Sequence, residues 1–225
     1  MGVLNVSQAA LKLGVSDRRV RQMLERGDIE GQRVGLFWLI DPIVVERARR
    51  RPELGRRWSP AAAWALLQIA EGKLPKVSAV EVSRAKRRLA ERGIGDLVIK
   101  LASRGNVRRF YGHKSDLKRL ANEDMVVRGG VSAAREHRAD IIALDFLEAY
   151  VPASRIKKLI KKYALADVSD LANVLFRVVD DSVWPFPKNA KVASRIVVGV
   201  DLLDADDERS RRAGAGLVGL AWPGQ

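Results

Sequence analysis

The fold of the first part of this chain is decided by "LKLGVSDRRVRQMLERGDIEGQRVGLFWLI", residues 11–40. Ser7 is positioned to cap a short helix, and Gly14 ends that helix because glycine readily takes the positive φ of a helix stop. Ser16 caps a second helix, which ends at Gly27. Two short helices joined by "LGVS" are typical of a helix-turn-helix.

The second predicted helix separates apolar from charged side chains. Val20, Met23 and Leu24 recur at helical spacing, which predicts that their face is buried. The residues left on the outer face are Asp17, Arg18, Arg21, Gln22 and Glu25, with Arg19 near the boundary. A helix that needed only solubility could carry mixed charges, so this crowding of arginine indicates a polyanionic ligand.

Arginine on such a helix suits contact with DNA. In a helix-turn-helix the second helix enters the major groove, and its N-terminal residues touch base edges. The planar guanidinium reaches guanine O6 and N7 together, or binds a phosphate through two hydrogen bonds. Glutamine can pair with adenine in a similar way. The residues of this helix that we expect to contact DNA are Arg18, Arg19, Arg21 and Gln22.

The residues after the second helix predict a β-hairpin. Residues 29–34 and 36–40 have the composition of two short strands, with Gly35 at the turn. A hairpin directly after a recognition helix is a wing, and its Arg33 can reach a phosphate or the minor groove. Alternation along the second strand turns Trp38 toward the helices, where we expect it to cover them.

Asp41 and Pro42 then begin a third helix. This order of elements resembles the small winged helix-turn-helix of the MerR and excisionase superfamily, whose second helix carries Arg, two further residues and Arg. Arg18 and Arg21 fall on those positions here. The resemblance implies DNA contact by both arginines, and we expect Lys12 of the first helix to assist. A helix-turn-helix that makes only protein contacts is the alternative.

Composition describes a basic chain whose charge is unevenly distributed. The 225 residues include no cysteine and carry a formal net charge of +14, so disulfides and thiolate zinc sites are excluded. Residues 1–125 hold 26 Lys and Arg against 14 Asp and Glu, whereas residues 126–225 hold 15 against 13. The first half is thus suited to a polyanion. With no signal peptide pattern and no apolar run of membrane-spanning length, we expect a cytoplasmic protein without a membrane partner.

Residues 53–125 predict a basic helical segment that follows an arginine-rich hinge at residues 47–52. A helix begins at Pro60. A capping box, Ser78 with Glu81 three residues later, begins a strongly basic helix. A further helix and a short strand, "NVRRFYGH", follow it. The basic helix either lies along a phosphate backbone or presents a solvated face, and the sequence leaves both possibilities open.

Residues 126–225 predict an α/β domain with a mixed sheet. "MVVRGG", "FLEAYV", "NVLFRVVD" and "ASRIVVGVDLL" have strand composition, whereas "SAAREH", "SRIKKLIKKYAL" and "DERSRRAGAGLVGLA" are helical. His113 and His137 are isolated, and the acidic residues 201–208 suit the start of the last helix. The lysines of "IKKLIKKY" predict a solvated face. We expect no enzyme activity, no cofactor and no metal site.

The order of the parts carries a second resemblance. The winged unit, then "RRWSPAAAWALL", then a domain with "ANVLFRVV" and "VGVDLLDADDERSRRAG" is similar to actinobacterial relatives of the AbiEi antitoxins. That resemblance implies a repressor that binds repeats in the promoter of its own operon. It also implies that the C-terminal domain counteracts a toxin with a nucleotidyltransferase fold.

The sequence therefore predicts an α+β chain in three parts: a winged helix-turn-helix in residues 1–52, a basic helical segment in 53–125 and an α/β antitoxin or interaction domain in 126–225. The expected function is a repressor of double-stranded promoter DNA, bound to repeats as a homodimer or cooperatively. Two alternatives stay open. One is an excisionase-type architectural factor that bends DNA, and the other is an enzyme acting on nucleic acid.

Overall fold

The structure is a computed structural model that describes residues 3–25, 29–35, 37–50, 58–167 and 171–221. The predicted helix stop at Gly27 and the predicted hinge residues 51–52 lie outside these ranges. The chain divides into two compact units, Met1–Arg56 and Arg57–Gln225. Helices and strands are both present, so the chain is α+β as predicted.

The described part of the first unit contains three helices and a β-hairpin. In chain order these are α1 (Val6–Leu13), α2 (Asp17–Glu25), β1 (Gln32–Val34), β2 (Phe37–Leu39) and α3 (Pro42–Arg50). They enclose an apolar cluster whose buried members are Val6, Ala9, Ala10, Val20, Leu24, Ile29, Ile40 and Val45. Because all three helices contribute to this cluster, α2 is fixed with its apolar face inward.

Local capping sets the bounds of α1. Asn5, and not the predicted Ser7, is the cap: Asn5 Oδ1 accepts the Gln8 amide at 2.9 Å, and Gln8 Oε1 accepts the Asn5 amide at 3.0 Å. This reciprocal pair is a capping box, which a serine inside the helix cannot form. Ser7 lies within α1, and its hydroxyl donates to Asp17 Oδ2 at 2.5 Å. Gly14 ends α1 with φ 68°, as predicted.

The predicted caps of α2 and α3 are confirmed. Ser16 Oγ accepts the Arg19 amide at 3.3 Å, and Asp41 Oδ1 accepts the Ile43 amide at 2.7 Å. The turn between α1 and α2 is therefore fixed at both ends, by Gly14 on one side and by Ser16 on the other.

The second unit is built around a sheet with five strands in the part of the chain that the structure describes. Its helices are α4 (Pro60–Ala70), α5 (Ala79–Leu101), α6 (Leu117–Ala121), α7 (Gly130–Ala133), α8 (Ala153–Lys162), α9 (Arg195–Leu203) and α10 (Glu208–Val218). Its strands are β3 (Asn106–Tyr111), β4 (Val127–Arg128), β5 (Leu147–Pro152), β6 (Ala166–Asp167) and β7 (Val174–Val179), in the spatial order β4–β5–β7–β3–β6. β5 and β7 are parallel and the other pairs are antiparallel, which confirms the predicted mixed sheet.

The sheet joins parts of the chain that the sequence assigned to different segments. β3 comes from the predicted helical segment 53–125, yet it pairs with β7 from Asn106 to Phe110. The core crosses the same boundary, because Trp64 of α4 belongs to one buried cluster with Val198 of α9. The predicted division at residue 125 is therefore wrong, and both strand pairing and apolar packing make residues 58–221 one unit.

Alternation along the strands divides the side chains of the sheet between two cores. Leu147 and Ala149 of β5 belong to a cluster that also contains Ile156 and Leu159 of α8. Tyr150 belongs to the opposite cluster, with residues of α4, α5 and α9. The sheet is thus covered by helices on both faces, as expected for a sheet that contains buried parallel strands.

Residues 195–203, which belong to the predicted strand 193–203, form the helix α9. Ser194 Oγ accepts the Val197 amide at 3.4 Å and caps this helix. α9 packs closely on α10, since a Cβ on Gly214 would lie 2.6 Å from the Gly199 carbonyl oxygen. The run of β-branched residues favoured a strand, but capping and helix packing outweigh that weak preference.

Some other predicted elements are shorter or interrupted. Only residues 127 and 128 of "MVVRGG" pair in the sheet as β4, and the helix α7 ends at Ala133 within "SAAREH". Gly93 takes φ 68° and ψ 169° inside α5, which separates the two helices that the sequence predicted there. Glycine tolerates this conformation without the steric cost that other residues would bear.

A cluster of buried charges lies between the sheet and α9. Arg104, fully buried, donates to Asp201 Oδ1 from Nη2 at 2.7 Å and from Nε at 3.1 Å. The Tyr150 hydroxyl donates to the same oxygen, and the Gly130 amide donates to Asp201 Oδ2 at 3.0 Å. Arg177 Nε of β7 is 3.2 Å from Asp201 Oδ1. One carboxylate therefore contacts four separate segments of the second unit.

The cations of this cluster keep their charge. Burial alone would lower the pKa of Arg104, but Tyr150, Asp201 and Asp204 together raise it well above its ordinary value. A charged guanidinium without access to water needs partners within the protein. Asp201 and Tyr150 supply those partners.

The acidic residues 201–208 have two different roles. Asp207 Oδ1 accepts the Ser210 amide at 2.7 Å and caps α10, as predicted. Asp201 is only 1% exposed and lies inside α9, so its predicted place at the start of the last helix is wrong.

We expect Arg104→Leu to lower the free energy of unfolding by about 3–5 kcal/mol, because it leaves the Asp201 carboxylate buried without its main partner. Chemical denaturation followed by tryptophan fluorescence measures this change. Arg119→Leu removes an exposed ion pair with Asp116 at 3.3 Å and should change the stability by at most about 1 kcal/mol. Equal stability of Arg104→Leu and the wild type would contradict the structural role of the cluster.

Candidate nucleic-acid interface

α2 presents a basic face to solvent. Val20 is fully buried on one side of the helix, and Arg18 and Arg21 are exposed on the other. Arg19 is half-buried, as its predicted position at the boundary requires. Gln22 is also half-buried, although the sequence predicted it on the outer face. The predicted division of the helix is therefore confirmed for the arginines and corrected for Gln22 and for Asp17, which is half-buried as well.

Arg21 has an acidic neighbour one helical turn away. Its Nη2 lies 3.9 Å from Asp17 Oδ2, and its side chain remains 56% exposed. Asp17 also accepts the Ser7 hydroxyl at 2.5 Å. Exposed ion pairs of this kind are weak, so a phosphate or a base can compete for Arg21 while Asp17 keeps its contact with Ser7.

The hairpin orients Arg33 and Trp38. These two residues are opposite each other in the antiparallel register, so their side chains share one face. Trp38 is half-buried and packs against the core of the first unit, as predicted. Arg33 is exposed, and its Nε donates to the Gly35 carbonyl at 3.4 Å. Gly35 takes φ 60° at the turn, where the sequence placed it.

The other face of the hairpin is apolar. Val34 and Phe37 are opposite each other and are 51% and 73% exposed. Because side chains alternate along a strand, an inward Trp38 turns Phe37 away from the core. Phe37 is not among the six residues predicted to contact DNA, although the same alternation identifies it as exposed.

The structure brings part of the predicted interface together. Lys12 is exposed in the last turn of α1, and Arg33 is carried by the hairpin. The residues that share α2 are Arg18, Arg19, Arg21 and Gln22. All six predicted DNA-contacting residues thus lie in the first unit, with four of them on one helix.

α5 is the second basic helix that the sequence identified. Its Arg84, Lys86 and Arg92 are exposed. Arg88 has a different environment, since its guanidinium carbon lies 4.7 Å from the ring centroid of Trp58. A cation in contact with an aromatic face is partly satisfied within the protein. The exposed basic side chains of α5 are therefore available to a ligand, whereas Arg88 packs within the second unit.

The remaining candidates for chemistry have structural partners. His113 Nδ1 lies 2.7 Å from Ser115 Oγ, and His137 Nε2 lies 2.8 Å from the Ala193 carbonyl oxygen. Among the described residues, no group of His, Asp and Glu could hold a metal ion. No helix in the described ranges has both the length and the apolar character that crossing a membrane requires.

Comparison with known proteins gives no assignment: no protein family, curated protein or solved structure matches this chain.

We expect Asn5→Ala to weaken α1 by about 1 kcal/mol, because it removes the acceptor of the Gln8 amide. Ser7→Ala keeps that cap and removes only the hydroxyl contact with Asp17, so its effect on α1 should be smaller. Hydrogen exchange of the α1 amides measures both variants, and the Gln8 amide should lose protection only in Asn5→Ala. A larger loss of protection in Ser7→Ala than in Asn5→Ala would identify Ser7 as the cap of α1.

Proposed function

We propose that the protein is a sequence-specific, DNA-binding transcriptional repressor of the winged helix-turn-helix class. The observation that carries the proposal is the division of α2, with Val20 buried in the core while Arg18 and Arg21 are exposed. α1 contributes to the same core, and the β1–β2 hairpin follows α2 in the chain. A recognition helix followed by a wing has this order of elements.

In this proposal α2 is the recognition helix that enters the major groove. Arg18 and Arg21 supply planar guanidinium groups, which bind guanine edges or phosphates through paired hydrogen bonds. Arg19 and Gln22 lie beside them and complete the contact, glutamine by pairing with adenine. Base contacts of this kind carry the sequence preference.

Two further residues position the protein on the duplex. Arg33 on the hairpin and Lys12 at the end of α1 are exposed cations on elements that flank α2 in the chain. We assign both to phosphates, which fix the register of a protein on DNA without reading its sequence. Each neutralised phosphate also steepens the salt dependence of binding.

The recognition helix of the first unit is already ordered before it binds DNA. Gly14 and Ser16 fix the turn that leads into α2, and Val20 anchors the helix in the core. A helix that is already ordered does not lose conformational freedom when it binds, which favours affinity. One helix reads one half-site, so we expect two copies on repeated sites, as a homodimer or through cooperative binding.

We extend the proposal to an antitoxin role, which rests on the resemblance of the sequence to the AbiEi antitoxins. The second unit, Arg57–Gln225, has its own cores and its own sheet, so it is large enough to have a function separate from DNA binding. In the proposal this unit counteracts a nucleotidyltransferase-type toxin encoded in the same operon. An excisionase-type factor needs little beyond a winged unit, and so the second unit favours the repressor over that alternative.

Arg18→Ala combined with Arg21→Ala should abolish the footprint on the DNA upstream of the protein's own coding sequence, because α2 then lacks its exposed guanidinium groups. Footprinting at physiological salt measures this. Arg119→Ala with Arg135→Ala is the matched control, since it removes equal charge from exposed residues of the second unit. An unchanged footprint, or an equal loss in the control, would contradict α2 as the recognition helix.

We also expect the Arg18→Ala and Arg21→Ala variant to keep protecting cells against the neighbouring toxin while it fails to repress the promoter, because the second unit is unchanged. Growth with the toxin under an independent promoter measures protection, and a reporter measures repression. Loss of protection together with repression would contradict the division of work between the units. If the wild-type protein bends its DNA duplex but does not repress the reporter, the excisionase-type alternative is favoured.

A further inference from the structure

A groove in the second unit combines apolar and basic side chains. It has a volume of about 510 Å³ and lies between residues 74–77 and the first two turns of α5. Pro75 is buried at this groove, and Val77 and Val82 are half-buried. Leu74 is 81% exposed at its edge. Leu74 therefore lies beside other apolar side chains and is not an isolated exposed leucine.

A turn and a capping box define the groove, and the capping box already engages the carboxylate of Glu81. Gly72 takes φ 72° after α4, where the chain turns toward α5. Glu81 accepts the Ser78 amide at 3.1 Å and the Ser78 hydroxyl at 2.8 Å, which forms the predicted capping box. These hydrogen bonds lower the pKa of Glu81 below its ordinary value. This carboxylate is thus committed to the start of α5.

The surroundings of the groove are strongly basic. Residues 73–92 contain seven Lys and Arg against two Asp and Glu. Lys86 lines the groove, and Lys76 is exposed in the segment that forms its other wall. Of the two acidic residues, Glu91 lies 3.9 Å from Arg87, and Glu81 is engaged in the capping box with Ser78. A ligand that fits this charge carries several carboxylates or phosphates.

The apolar wall distinguishes between these two kinds of ligand. A phosphate backbone would neutralise the cations but would leave Leu74 in water. A helix with apolar residues on one face and acidic residues on the other would bury Leu74 and neutralise Lys86 at the same time. The combination of both features therefore favours an acidic protein segment over a nucleic acid.

We propose that this groove binds a short acidic amphipathic helix of another protein. Its apolar side chains lie against Leu74, Val77 and Val82, and its carboxylates reach Lys76 and Lys86. The groove lies entirely within the second unit, so this binding does not depend on the DNA contacts of α2.

The full-length protein and three fluorescent peptides of about 15 residues test the proposal. The first peptide has leucines at helical spacing and glutamates elsewhere, the second replaces the glutamates with lysines, and the third replaces the leucines with serines. Fluorescence anisotropy should give binding of the first peptide, with the other two at least about tenfold weaker, because each lacks one of the two matching features.

Two variants locate the binding. Leu74→Asp should weaken the first peptide about tenfold, whereas Leu171→Asp, at a leucine outside the groove that is 77% exposed, should not change it. Lys86→Glu should weaken it as well, and this tests the charge separately from the apolar wall. Circular dichroism of each variant checks that the chain is folded.

Four results would overturn the proposal. The first is no binding of the acidic leucine peptide, and the second is equal binding to Leu74→Asp and the wild type. The third is equal binding of the peptide without leucines, which would make the surface a site for any polyanion. The fourth is a Lys86→Glu variant that loses affinity for duplex DNA and keeps it for the peptide, which would assign α5 to phosphate contact.

Discussion

The second unit depends on a carboxylate that is buried away from water. Asp201 accepts hydrogen bonds from Arg104, from the Tyr150 hydroxyl and from the Gly130 amide, and so it links α9 to the segment after α5, to β5 and to the start of α7. An unpaired charge in such surroundings costs on the order of several kcal/mol. The charges are therefore compatible only with an arrangement in which every one of these segments is in place. Apolar packing alone would tolerate small shifts of α9 on the sheet, whereas this network of hydrogen bonds does not.

The first unit obeys a different constraint, which is the small size of its core. α2 can bury only one side against α1 and the hairpin, and Val20 and Leu24 fill that side. Arg18 and Arg21 of α2 are consequently left in solvent on a helix whose start is fixed by Ser16. The same contacts that stabilise the unit thus leave these two guanidinium groups accessible to a ligand. The groove beside α5 differs, because Leu74 adds an apolar wall to its basic rim, and the two surfaces suit ligands of different chemistry.

Much of the proposed DNA-binding face could be predicted because the relevant signals are local. The spacing of Val20 and Leu24 fixes which side of α2 is outward, and the alternation of the hairpin fixes the direction of Trp38. Asp17 and Gln22 were exceptions, since their half-buried state depends on how neighbouring elements pack and not on helical spacing alone. The exposure of Phe37 also follows from this alternation. That Phe37 forms an apolar surface with Val34 is known only from the register of the hairpin.

The sequence by itself determined the helix caps at Gly14 and Ser16 and the hairpin, because capping and strand composition act over a few residues. The tertiary structure alone decided that β3 joins β7, that residues 195–203 form a helix and that Asp201 is buried. Arg104 and Asp201 are 97 residues apart in the chain. Whether such groups meet is decided by the packing of the whole unit, which outweighs the local preferences that a sequence pattern records.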